Sequence, residues 1–289
     1  MRDVKTNDRR TLRVHEGGDP DGAPVLVEHG TPMTGQLFGP HVEDARRRGI
    51  RLIGYDRPGY GGSTAHEDRS VADAAADVVA IADSLGLERI AVWGISGGGP
   101  HALACAALLP ERVVGVASLA SVAPSDAEDL DWTAGMGEAN LEEFEATRRG
   151  RAALEQYLRG EAEGLLASDA DQLVEALQSL LTPVDAAALT GELAAYMADS
   201  MLNALRGSID GWLDDDLAFV EPWGFGVEEI RVPVLLWQGR QDRFVPPAHG
   251  DWLAARIPGV DARISDEDGH LTLLARRIPE VHAWLLQQF

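Results

Sequence analysis

The chain of 289 residues holds one lysine, Lys5, against 24 arginines, and one cysteine, Cys105. A lone cysteine excludes an internal disulfide, and its place in an alanine- and leucine-rich stretch reads as a packed thiol rather than a reactive one. No run of about 18 apolar residues occurs, and Met1 to Arg10 lack the apolar core of a secretory signal. Neither a membrane span nor export is expected, and the reading is a cytoplasmic protein. The patterns H-E-x-x-H, C-x-x-C, G-x-G-x-x-G and G-x-x-x-x-G-K-[ST] are also missing, so no metal and no cofactor is indicated. Positive charge is scarce overall, at a formal net charge of -22. That balance argues against nucleic acid, whose phosphates are bound by Lys and Arg, and against anionic membrane surfaces. It disfavours strongly anionic substrates as well, which leaves a small neutral or cationic molecule as the expected partner; oligomeric state is not legible.

What the chain does have is unevenly spread. At 45% hydrophobic content it can bury a sizeable core, as one large domain or two ordinary ones. Between Pro124 and Gly226 stand 22 acidic residues and only 5 arginines, a net charge of -17, while all remaining residues together carry -5. This segment lacks strand-like alternation. Its periodicity predicts helices over Leu141 to Arg159, Ala170 to Leu181 and Val184 to Leu205, with a shorter turn around Ile209 to Phe219. It lies between two strand candidates, Val113 to Leu119 and Val232 to Gln238. A solvated acidic face that aids solubility is the simplest account of its charge, with steering of cationic substrates as the alternative.

The densest chemical signal is Gly94-Ile95-Ser96-Gly97-Gly98, a G-x-S-x-G run between an apolar strand candidate, Arg89 to Trp93, and a small-residue helix candidate, Gly99 to Leu109. A serine on such a strand-turn-helix corner is held with its hydroxyl exposed, and side chains at Gly94 or Gly98 would collide across the turn. Serine needs a general base to become a nucleophile, usually a histidine oriented by a carboxylate. Downstream, Asp242 follows the apolar run Val232 to Gln238, and His270 follows a weaker strand candidate, Asp261 to Ile264. Asp266, Glu267 and Asp268 are alternative carboxylates, although acids within the same loop more often solvate a turn. His15, His66, His249 and His282 have no ligand-like spacing and read as surface or helix residues. His101, on the helix after Ser96, reads as packing.

Four motifs in order carry a resemblance: His29-Gly30-Thr31-Pro32 after the strand Val25 to Glu28, Tyr55-Asp56-Arg57-Pro58-Gly59-Tyr60-Gly61-Gly62-Ser63, the turn at Ser96, and the paired Gly-x-x-Asp and Gly-His loops at Asp242 and His270. The chain resembles the α/β-hydrolase fold serine hydrolases, in the branch of esterases, lactonases and proline iminopeptidases that carry a helical cap. The resemblance implies an α/β fold with a mostly parallel central sheet, flanking helices and an inserted all-helical cap. The core would comprise residues 1–123 and 227–289 and the cap residues 124–226. It also implies Ser96 as nucleophile, His270 as base, Asp242 as orienter, and an oxyanion hole from the backbone N–H groups of Thr31 and Gly97. The Thr31 hydroxyl is a candidate extra donor, and the Asp56 to Ser63 turn is structural.

For function, the resemblance implies first a carboxylic ester or lactone hydrolase. The alternatives are a proline iminopeptidase-like aminopeptidase, favoured by the acidic cap but lacking the Trp usual after the nucleophile, a carbon–carbon bond hydrolase or perhydrolase, and a non-catalytic ligand receptor. Pocket residues on the cap are sought among Trp132, Phe144, Tyr157 and Leu177, and among Tyr196, Met197, Met201 and Trp212.

Overall fold

A computed structural model of the protein describes residues 1–167, 172 and 177–289. Eight strands form one sheet: β1 (Arg2–Lys5), β2 (Thr11–Gly18), β3 (Ala23–Glu28), β4 (Ile50–Tyr55), β5 (Ile90–Ile95), β6 (Val113–Leu119), β7 (Val234–Gly239) and β8 (Asp261–Ser265). Their order across the sheet is β1-β2-β4-β3-β5-β6-β7-β8. The pairs β1/β2 and β2/β4 are antiparallel, and all the others are parallel. The expectation of an α/β fold with a mostly parallel sheet is met.

Burial explains why the middle strands read as unbroken apolar runs. Every residue of β5, β6 and β7 is buried, as parallel strands covered on both faces require. Alternate residues feed two cores, with Val25, Ala91 and Leu235 on one face and Leu26, Val92 and Leu236 on the other. β7 begins two residues later than Val232, because Pro233 has no N–H to give the ladder; its carbonyl still accepts Val116 N–H at 2.9 Å.

Helices α1 (Gly39–Arg47), α2 (Ala74–Leu85), α3 (Gly98–Leu108), α9 (Pro247–Arg256) and α10 (Ile278–Leu286) flank the sheet. Helix α3 is apolar nearly all round because it is buried from Gly98 to Ala106. Cys105 lies within it, fully buried, and burial pushes its thiol well above the ordinary range. The chain runs from β3 to β4 on one side and then crosses back to β5 on the other. The sheet therefore opens a crevice at the carboxyl ends of β3 and β5, the place where open α/β sheets bind ligands.

Between β6 and β7 the described residues of segment 124–226 contribute no strand to the sheet. They form α4 (Glu138–Arg148), α5 (Arg151–Ala167), α6 (Pro183–Ala188), α7 (Gly191–Leu205) and α8 (Asp210–Val220). The helix expected over Leu141 to Arg159 is two helices, since Gly150 takes φ 97° and turns the chain between α4 and α5. That expected over Val184 to Leu205 is likewise split, with Thr190 extended between α6 and α7. The turn expected near Ile209 is a full helix of 11 residues. Most of the helix expected over Ala170 to Leu181 lies outside the described residues.

Two leucines of α3 test this packing. Leu103 is fully buried and Leu108 is 41% exposed. Leu103→Ala should cost about 2–5 kcal/mol in urea unfolding and Leu108→Ala under about 0.5 kcal/mol. Equal effects would contradict the placement of α3 against the sheet.

Candidate active site

Ser96 follows β5 directly and has φ 55°, a left-handed conformation that few side chains adopt. Its backbone is clamped on both sides: Ser96 N–H donates to Leu119 O at 2.9 Å, and Ser96 O accepts Gly99 N–H at 2.8 Å. The flanking glycines are a steric necessity. A Cβ at Gly94 would stand 2.1 Å from Gly98 O, and one at Gly98 would stand 2.1 Å from Glu28 O at the end of β3. The strand-turn-helix corner thus pins Ser96 beside the loop that leaves β3, which carries His29, Gly30 and Thr31. Gly97 precedes α3, so its N–H lies ahead of the helix's own hydrogen bonds.

Asp242 and His270 come together from loops after β7 and β8. His270 Nδ1 donates to Asp242 Oδ2 at 2.8 Å. Asp242 Oδ1 accepts the N–H groups of Phe244 and Val245, each at 2.8 Å, so the carboxylate is fixed by the turn it sits in. The Phe244 ring stacks on the imidazole at 4.5 Å between centroids. With Nδ1 committed to Asp242, Nε2 is the nitrogen free to exchange a proton. Burial works against a charged His270, but Asp242, and less strongly Asp185, outweigh it and raise the imidazole above its ordinary value. Among the rival carboxylates, Asp268 is engaged elsewhere: it accepts Arg277 Nε at 2.9 Å.

Ser96, Gly97, Thr31 and His270 line a single cavity of about 170 Å³, with Asp242 buried behind His270. The other walls come from segment 124–226. Of the eight pocket candidates, Phe144, Tyr157, Leu177, Met197, Met201 and Trp212 line the cavity. Two do not. Trp132 packs on Phe144 and donates to Ala123 O at 2.7 Å, and Tyr196 donates its hydroxyl to Gln36 O at 2.9 Å.

Three readings need correction. The Thr31 hydroxyl is not a spare donor, because it gives its proton to Asp215 Oδ2 at 2.6 Å. His249 and His282 are helical but fully buried, His249 between Ala123 N–H and Trp132 O and His282 against Asp44. Nor is the acidic segment simply a solvated face: Asp185, Asp214, Asp215 and Asp216 are all buried. Asp215 accepts Arg57 Nη2 at 2.6 Å and the Tyr60 hydroxyl at 2.8 Å, and pairs with Arg69 at 2.7 Å. Burial alone would raise its carboxyl, but the two guanidinium groups hold it well below the usual range. Asp216 and Glu143 face each other in the cavity wall. Burial, and then the neighbouring Glu143, push the Asp216 carboxyl well above the usual carboxylate range, and burial raises that of Glu143 as well.

The fold has a family match. Residues 23–276 match the family described as alpha/beta hydrolase fold, and the chain belongs to that family of hydrolases. It is 27% identical over 270 residues to a proline iminopeptidase of Neisseria gonorrhoeae, covering 86% of this chain and 83% of that protein. To the 2-hydroxy-6-oxononadienedioate/2-hydroxy-6-oxononatrienedioate hydrolase of Burkholderia vietnamiensis it is 28% identical over 277 residues, covering 91% and 86%. Among solved structures, a thermophilic esterase from Thermogutta terrifontis superposes with a TM-score of 0.72 at 20% identity, covering 99% of this chain and 98% of that one. The enol-lactonase from Burkholderia xenovorans LB400 gives a TM-score of 0.71 at 19% identity, covering 99% and 100%. At such identities the structural likeness establishes the fold alone. No helix among the described residues is long and apolar enough to cross a membrane.

The electrostatics of His270 predict a direction. Because Asp242 raises the imidazole, its NMR titration should lie above the ordinary histidine value and move to lower pH in Asp242→Asn. A titration that does not move would contradict the pairing.

Proposed function

We propose that the protein is a serine hydrolase that cleaves a carboxylic ester or lactone of a small neutral substrate through an acyl-enzyme on Ser96. One observation carries this reading: a serine in a strained left-handed backbone shares one cavity with a histidine whose other ring nitrogen is held by a buried carboxylate. Ser96 Oγ attacks the substrate carbonyl carbon while His270 Nε2 takes the hydroxyl proton. The oxygen that becomes negative is met by the N–H groups of Gly97 and Thr31, each worth about 3 kcal/mol of barrier. His270 then passes the proton to the leaving oxygen as the carbon–oxygen bond breaks. Water, deprotonated by the same nitrogen, attacks the acyl carbon, and the proton returns to Ser96 as the acid departs.

Residues 124–226 act as a cap over residues 1–123 and 227–289 in this account. The aromatic, Leu and Met side chains of the cap give an apolar wall suited to an uncharged acyl or leaving group. A single adduct on the peptide containing Ser96 is expected after treatment with a fluorophosphonate, as read by mass spectrometry. Ser96→Ala should carry none, and His270→Ala should lose several orders of magnitude in turnover. An adduct retained in Ser96→Ala would remove the assignment.

A second reading, a proline iminopeptidase-like aminopeptidase, is favoured by the Glu143–Asp216 pair. Both carboxyls stand in the cavity wall, with Asp216 Oδ2 fully buried, where a substrate ammonium would be their natural counter-charge. Under this reading Glu143→Gln and Asp216→Asn raise KM for aminoacyl amides at least tenfold, with p-nitrophenyl ester turnover within a few fold of wild type. Under the ester reading the wild type has no measurable activity on aminoacyl amides.

A further inference from the structure

Segment 124–226 reaches beyond the cavity wall. Two of its buried carboxylates reach out of the segment and close on the two core loops that carry the candidate machinery. Asp185, on α6, is 0% exposed. Its Oδ2 accepts His270 N–H at 2.9 Å, and its Oδ1 accepts the N–H groups of Leu271 at 2.8 Å and Thr272 at 3.1 Å. Three consecutive backbone donors around His270 thus end on one side chain from 85 residues earlier in the chain. The fit is close enough to dictate Gly269, where a Cβ would stand 2.3 Å from Asp185 Oδ2.

Asp215, on α8, does the same for the other loop. Its Oδ2 takes the Thr31 hydroxyl proton at 2.6 Å, while Arg57, Arg69 and Tyr60 fix the carboxylate from the core side. Arg57 also donates to His29 O, so the loop is gripped on either side of Gly30. Thr31 Oγ1 is packed so tightly against the turn at Ser96 that a Cβ at Gly97 would approach it to 2.3 Å.

We infer that Asp185 and Asp215 are positioning residues, through which the inserted segment sets the base on His270 and the N–H donors at Thr31 and Gly97, in addition to walling the pocket. The inference rests on the acyl-transfer reading of Ser96. It gives the segment a part in the chemistry as well as in substrate choice. A displacement of about 1 Å in a reacting group costs on the order of 100-fold in rate, which is the leverage these contacts hold. The charged groups facing His270 are Asp242 from the β7 loop and Asp185 from α6; Phe244, on its ring face, is neutral.

The test uses the full chain and a small alkyl fluorophosphonate, whose reaction with Ser96 draws on the same base and the same N–H donors and needs no knowledge of the natural substrate. Inactivation rate is measured against pH for wild type, Asp185→Asn, Thr31→Val and Thr31→Ser. Thermal unfolding of each is measured in parallel. Asp185→Asn should slow inactivation about 10- to 100-fold at its plateau. It should also move the acid limb to lower pH, because one of the two carboxylates that raise His270 has lost its charge. Thr31→Val should slow inactivation about tenfold without moving the limb, and Thr31→Ser, which restores the hydroxyl, should recover the rate. Should Asp185→Asn fail to fold, the Thr31 pair decides, since Asp215 keeps its bonds to Arg57, Arg69 and Tyr60. Rates within twofold of wild type and an unmoved limb, with Ser96 labelled normally, overturn this inference alone. A wild type unlabelled at Ser96 overturns the acyl-transfer reading and this inference with it.

Discussion

Ser96 occupies a backbone conformation that costs a non-glycine residue about 1–3 kcal/mol, and the surrounding chain is built to hold it there. A hydrogen bond donated to β6 and one accepted from α3 fix its two peptide groups, and glycines at 94 and 98 let strand, turn and helix close to carbonyl contact. Moving Ser96 out of this state would require shifting β3, β5, β6 and α3 together. The turn of Gly97 takes its position from that corner, and the loop of Thr31 packs directly against it.

Charge buried in segment 124–226 is the second organising feature. Its surplus of acid is partly solvated, but four aspartates are withdrawn from water, where an unpaired carboxylate would cost several kcal/mol. Each is accounted for differently. Asp215 meets two guanidinium groups, a phenol and a hydroxyl; Asp185 meets three backbone N–H groups; Asp214 meets Arg151; and Asp216 faces Glu143, its carboxyl raised by burial and by that neighbour. Asp185 and Asp215 therefore tie the segment to the core at two defined polar points, while Asp214 and Asp216 find partners within the segment itself.

The parts legible from sequence were those governed by local rules. The mostly parallel sheet was readable because β5, β6 and β7 are short apolar runs bounded by turns. The positions of Ser96, Asp242 and His270 past the ends of strands are readable because each follows a strand candidate in the sequence. Helix ends inside the segment are not legible at Gly150 and near Thr190, where apolar periodicity continues across a break in the backbone. Asp185 and Asp215 were invisible for a physical reason: their partners lie 85 and more residues away, and an aspartate on a helix reads as solvated until its neighbours are known. One signal was present. Asp214-Asp215-Asp216 stands between Trp212-Leu213 and Leu217-Ala218-Phe219, and three acids in so apolar a helix leave no solvent face wide enough for all of them.

The account stands on a covalent intermediate at Ser96, and rapid mixing with p-nitrophenyl acetate reads it most directly. A burst of p-nitrophenolate approaching one equivalent per chain, with an acetyl mass on the Ser96 peptide in the acid-quenched protein, is the predicted result when deacylation is the slower step. Turnover of the ester with no acetyl mass at any quench time, with Ser96→Ala equally active, would contradict it.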